Sequence, residues 1–136
     1  MVALTMRTIA AFLAALFAIA VHAHEVTHGQ TADIGSPGSK SAVTRTIHVV
    51  MTDAMRFEPA RIAVKQGETV RFVVKNAGKL KHEFVLGTSR ELAAHARLMK
   101  KFPLMEHSDP NMITLAGGRT GVVIWHFTRA TPIAYA

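Results

Sequence analysis

An antiparallel all-β sandwich or barrel with one helical insertion is the fold this sequence predicts, and three observations predict it. Short segments from Thr44 onward alternate apolar and polar residues with period two, the pattern of half-buried strands. Gly, Asn, Asp and Pro cluster between those segments and supply turns. One segment alone, 88–102, repeats its apolar residues at helical spacing. At 136 residues, 49% hydrophobic and 18% charged, the chain has a one-domain length and enough apolar content for a real core. It contains no cysteine, so no disulfide staples that core.

Residues 1–23 read as a secretory signal peptide. They carry one basic residue, Arg7, an apolar run from Ile9 to Val21, and a small-x-small end at Val21-His22-Ala23. The run falls short of the roughly 20 residues needed to span a bilayer, so cleavage and not anchoring is expected. Cutting after Ala23 starts the mature chain at His24 and implies a periplasmic or secreted protein with no membrane attachment. Residues 24–43 are rich in Gly, Ser and Pro without periodicity and read as a flexible, His-containing segment ahead of a domain over 44–136.

Within that domain Thr44–Met51 reads as a strand, with Ile47 and Val49 on one face and His48 and Val50 on the other. Arg61–Val64 and Thr69–Lys75 follow, joined by the turn Gln66-Gly67-Glu68. Val70, Phe72 and Val74 alternate there with Arg71 and Lys75. Asn76-Ala77-Gly78 stops that strand, and His82–Gly87 is the next. "TSRELAAHARLMKKF" then places Leu92, His95, Leu98, Met99 and Phe102 on one helical face, with Thr88 or Ser89 as N-cap and Glu91 in the first turn. "MITL" and "VVIWHF" are strands again, and after a turn at "TRATP" the chain enters another at Ile133.

The formal charge of +7 and pI near 10.4 do not make this a nucleic-acid binder. Its basic residues stand singly, with no run of five, and an exported protein rarely meets DNA. A solvated basic face that docks an acidic protein partner is the better account. Enzymatic classes also lose support, since there is no Cys, no Gly-x-Ser-x-Gly and no phosphate-cradling Gly loop. The unusual content is histidine and methionine. Past residue 23 there remain His24, His28, His48, His82, His95, His107 and His126, with Met51, Met55, Met99, Met105 and Met112. Imidazole suits copper and zinc, and thioether selects copper, Cu(I) above all.

The stretch "FEPARIAVKQGETVRFVVKNAGKLKHEFVLG" resembles the first half of a cupredoxin, a small blue copper protein. The shared features are Phe-x-Pro, Ile-x-Val-x-x-Gly-Glu-x-Val, an Asn-x-Gly turn and then His. "MEHSDPNMITLAGGRTGVVIWHFTRA" is similar to the exported, copper-handling branch of that family. The resemblance runs from about Thr44 to Tyr135 and implies a Greek-key β-sandwich. It also implies copper held by a His at this strand position together with a Cys, a second His and an axial Met on a C-terminal loop. Only His82 finds its match here. The strand leading to the Cys resembles Thr131–Ala136, so the resemblance implies a C-terminally truncated domain whose cysteine would come next.

Without thiolate the blue trigonal site does not form. The leading expectation is an exported copper-binding protein whose family role is one-electron transfer or periplasmic copper handling, impaired by loss of the Cys/His/Met loop. Its partners would be copper and an acidic redox or copper-transfer protein. One alternative is a copper carrier built on Met51, Met55, Met105, His107 and Met112, in the loop-like stretches "MTDAM" and "MEHSDPNM", or on His24 and His28 at the new N-terminus. Another is a purely structural or non-functional domain. His48, His95 and His126 sit inside strand and helix patterns and read as structural.

Overall fold

The computed structural model describes residues 32–103, 105 and 107–135. Residues 1–23, read above as a signal peptide, and His24 and His28 lie outside the described residues. Nine strands and one α-helix follow in order: β1 Gly35–Pro37, β2 Arg45–Thr52, β3 Arg56–Glu58, β4 Ile62–Val64, β5 Thr69–Asn76, β6 His82–Gly87, α1 Ser89–Lys101, β7 Met112–Leu115, β8 Thr120–Phe127 and β9 Thr131–Tyr135. They form two sheets, one ordered β1-β8-β5-β2-β3 and the other β4-β9-β6-β7.

Alternation along the strands builds the core between these sheets. Val49 and Met51 of β2, Val70, Phe72 and Val74 of β5, and Val123, Trp125 and Phe127 of β8 turn inward from the first sheet. Ile62, Val64, Phe84, Leu86 and Leu115 meet them from the second. Phe72 and Phe84 approach across the sandwich with ring centroids 5.7 Å apart.

The helical insertion also follows its local sequence. Thr88 and Glu91 form a reciprocal capping box, in which Thr88 Oγ1 accepts from the Glu91 amide and Glu91 Oε2 accepts from the Thr88 amide at 2.7 Å. Leu92 packs with Val85 and Met112 in a second, smaller cluster. The expected apolar face is buried only at its start, for Leu98 and Phe102 are 43% and 45% exposed.

Three features differ from the sequence-based expectations. First, β2 and β5 pair in parallel, Ile47 opposite Phe72 and Val49 opposite Val74. The chain between them passes through β3 and then through β4 in the other sheet, so it re-enters the first sheet on the heading it had left. Second, residues 32–43 are not a flexible linker. Ile34 is buried in the main core, and β1 pairs with β8 as Gly35 opposite Phe127. A Cβ on Gly35, whose φ is +149°, would stand 1.9 Å from the His126 carbonyl oxygen. Glycine therefore serves close backbone approach there, not looseness. Third, β3 forms a short antiparallel partner of β2 after a turn in which Met55 takes φ 55°.

Strand β9 has a partner on each side, Ile133 opposite Ile62 of β4 and Tyr135 opposite Leu86 of β6. The Tyr135 hydroxyl donates to the Pro59 carbonyl, and its ring lies edge-on to Phe57 at 5.1 Å. Among the described residues no helix is long and apolar enough to cross a membrane.

Candidate metal site

Asn76, the last residue of β5, is fully buried and organises the end of the sandwich where His82 lies. Its side-chain amide donates to the Leu80 and Leu115 carbonyls at 2.7 and 2.9 Å, and its oxygen accepts from the Gly78 amide at 2.9 Å. These bonds fold loop 77–81 back over the β2–β3 turn. There the Asp53 carboxylate accepts the Lys79 and Leu80 amides at 2.8 and 3.2 Å. A side chain at position 78 would put its Cβ 1.9 Å from Asp53 Oδ1, so the approach requires glycine.

The same Asp53 Oδ1 meets His82 Nε2 at 2.9 Å. The Lys79 amide, then His82, then the Leu80 amide hold the Asp53 carboxyl below its ordinary value of 3.8. An ionised carboxylate beside Nε2 keeps the proton on that nitrogen and leaves the Nδ1 lone pair free for a cation. The His82 side chain is only 9% exposed.

A pH dependence follows. Folding lowers the pKa of Asp53, so its contribution to stability is fully present above 3.8 and is lost as pH falls through the lower folded value. Below pH 3.8 the stability difference between wild type and Asp53→Asn is expected to shrink as the carboxylate takes up its proton. Urea denaturation across the acid range checks this, and a difference that grows as pH falls below 3.8 would contradict it.

Two hollows open beside His82 and share it with Lys81 and Glu83. One is lined further by Met51, Met55 and Phe57, the other by Met99, Met105, His107 and Thr114. Of the methionines read as candidate ligands, Met55 on its turn is 77% exposed and Met105 is 37% exposed. Met51 borders a hollow but is packed in the main core, and Met112 belongs to the cluster with Val85 and Leu92. The structure thus gathers His82, Met55, Met105 and His107 at one end of the molecule and gives Met112 a packing role. His126 Nδ1 lies 3.0 Å from Thr69 Oγ1, a structural bond. His48 is exposed on β2.

Sequence reasoning missed Asp53, Glu83 and His95. His95 Nε2 lies 2.6 Å from Glu83 Oε2, and Thr114 Oγ1 donates to Glu83 Oε1 at 3.3 Å. The His107 ring sits 5.1 Å from that of His95. The signal for His95 was its place three residues after Leu92, which turns it to the sheet side of the helix.

Comparison with known proteins agrees with this architecture. A family model described as a cupredoxin-like domain matches residues 9–103. The chain is 47% identical over 116 residues to the copper-resistant cuproprotein CopI of Rubrivivax gelatinosus, covering 84% of this chain and 70% of that protein. To the CopI of Pseudomonas aeruginosa it is 35% identical over 138 residues, covering 80% and 75%. To that of Vibrio cholerae it is 29% identical over 105 residues, covering 76% and 62%. The two-sheet sandwich, the strand-initial His82 and the extent of these matches together place the chain in the cupredoxin-like family.

Proposed function

We propose that this chain is an exported, non-enzymatic copper-handling protein that holds copper at the His82 end of the sandwich and passes it to a partner. The observation that carries this reading is His82 itself. It is a nearly buried imidazole with Nε2 fixed on an ionised carboxylate, at the mouth of two hollows lined by thioethers. The relatives' name, copper-resistant cuproprotein, supports copper as the ion.

The family's blue site does not fit the residues in hand. The resemblance assigns it one His, a Cys, a second His and a Met, and these 136 residues supply the first His and no cysteine. No electron-transfer step is therefore derived. The hollows beside His82 offer softer donors instead, the thioether of Met55 in one and that of Met105 in the other, a donor type suited to Cu(I). Bound copper would supply the cargo, and the protein's residues do the rest. Asp53 orients the imidazole, and Met55, exposed at the rim, offers a donor that a partner's ligand can replace. The formal charge of +6 that remains once Arg7 is removed with residues 1–23 favours an acidic partner.

The test is a competition titration of Met55→Ala/Met105→Ala against wild type with Cu(I) and Cu(II). Cu(I) affinity is expected to fall by about tenfold or more and Cu(II) affinity much less, since thioether prefers the softer ion. Unchanged Cu(I) affinity would return both methionines to packing and surface roles. Export, inferred from residues 1–23, has its own check. Intact mass of the protein recovered outside the cytoplasm is expected to begin at His24, and retention of Met1 would overturn cleavage.

A further inference from the structure

Successive residues of a strand point to opposite faces, and β6 places two different chemistries back to back. Phe84 and Leu86 face the sandwich core, and alternation puts His82 on the same side of the strand. Glu83 and Val85 face the other way, toward α1, where Val85 meets Leu92 and Glu83 meets His95. We propose that Glu83, His95 and His107 form a second cation site that takes a borderline divalent cation of the Zn(II) or Cu(II) class; it lies toward α1 in the hollow that Glu83 and His107 share with His82, and it uses donors other than His82.

The ligand atoms of these three residues lie within 4.8 Å of one another. Two imidazoles and one carboxylate are a standard donor set for such ions, with a position left open. The carboxylate is already oriented from both sides, by Thr114 Oγ1 on one oxygen and His95 Nε2 on the other. That hydroxyl bond is the support a metal-bound carboxylate needs.

A plain Glu83–His95 ion pair would account for two of the residues and leave the third unexplained. His107 Nε2 is buried without a hydrogen-bond partner among the described residues, beside the His95 ring. Buried polar atoms are normally satisfied, and a cation between the three side chains would satisfy this one. Ligands about 2.1 Å from a tetrahedral ion stand about 3.4 Å apart. The Glu83–His95 pair, now 2.6 Å apart, therefore needs a slight opening and His107 at most a short inward shift, within reach of a helix side chain and a loop side chain. For the cation to sit on His95 Nε2, a proton on that nitrogen passes by way of solvent to Nδ1 of the same ring, because the ligating forms are neutral imidazole and carboxylate.

This site does not depend on copper binding at His82, and the experiment separates the two. Full-length protein, His82→Ala and His95→Ala/His107→Ala are titrated with Zn(II) in competition with a chelating dye. The double variant is expected to bind at least about tenfold more weakly than wild type, while His82→Ala keeps wild-type affinity. Unchanged affinity in a folded double variant would overturn the site, as would an equal loss in His82→Ala. If the double variant does not fold, the wild-type protein decides. Zn(II) is expected to move the ring 15N resonances of His95 and His107, and still signals at saturation would overturn the proposal.

Discussion

Phe84→Ala is expected to cost about 3–5 kcal/mol of stability, a large part of the roughly 5–15 kcal/mol that a domain of this size has. Phe84 is fully buried. Its ring lies 5.7 Å from Phe72 in the opposite sheet, 5.7 Å from Tyr135 on β9 and 6.2 Å from Phe57 on β3. Removing it opens a cavity where four aromatic rings meet, and the surrounding strands are too well paired to collapse into the space. The consequence reaches the site, because Phe84 anchors β6 two residues beyond His82. Urea denaturation measures the effect. Leu98→Ala, on the exposed face of α1, serves as the control and is expected to stay within about 0.5 kcal/mol. A loss below about 1 kcal/mol at Phe84 would mean that this core does not hold the two sheets together.

The second large effect concerns the metal. His82→Ala is expected to weaken copper binding by about 100-fold, since it removes the imidazole whose Nε2 is held by Asp53 at the mouth of both hollows. Asp53→Ala keeps the imidazole but frees its orientation, and should weaken binding by about tenfold. The order of the two variants matters more than either number. A ligand and the carboxylate that positions it differ in this direction, whereas two residues that merely stabilise loop 77–81 would give equal losses. Copper titration with a competing chelator, on variants shown by circular dichroism to be folded, reads the order directly.

Much of this architecture was legible in the sequence, and what escaped did so for physical reasons. Strand β5 announces itself because Val70, Phe72 and Val74 alternate with Arg71 and Lys75, β6 and β8 because each holds a short run of apolar residues rich in β-branched and aromatic side chains, and α1 because Thr88 and Glu91 signal its first turn. β1 and β3 have three residues each, too few for a period to show, and Gly and Pro in β1 read locally as loop. The parallel pairing of β2 with β5 left no trace, since period-two alternation is the same in either direction. The site follows the same division. His82 was visible from the pattern around it. Its partner Asp53 stands 29 residues earlier in a polar turn, and only tertiary folding identifies it. Likewise His95 reads as a core-side helix residue until β6 brings Glu83 beside it. Methionine is the ambiguous case: Met112 and Met55 look alike in sequence, yet one packs in an apolar cluster and the other lies 77% exposed at a turn.

The central claim is that copper binds at the end of the sandwich where loop 77–81 folds over Asp53. Paramagnetic broadening by Cu(II) in the 1H–15N spectrum of His95→Ala/His107→Ala, which lacks the second cation site, tests it most directly, because broadening falls steeply with distance from the ion. The expected result is early loss of the amide signals of Asp53, Lys79, Leu80 and His82, while Gly67 and Glu68 at the far turn stay sharp. Broadening confined to residues near His48, or to the chain before Ala32, with the Asp53 and His82 signals intact, would contradict the account.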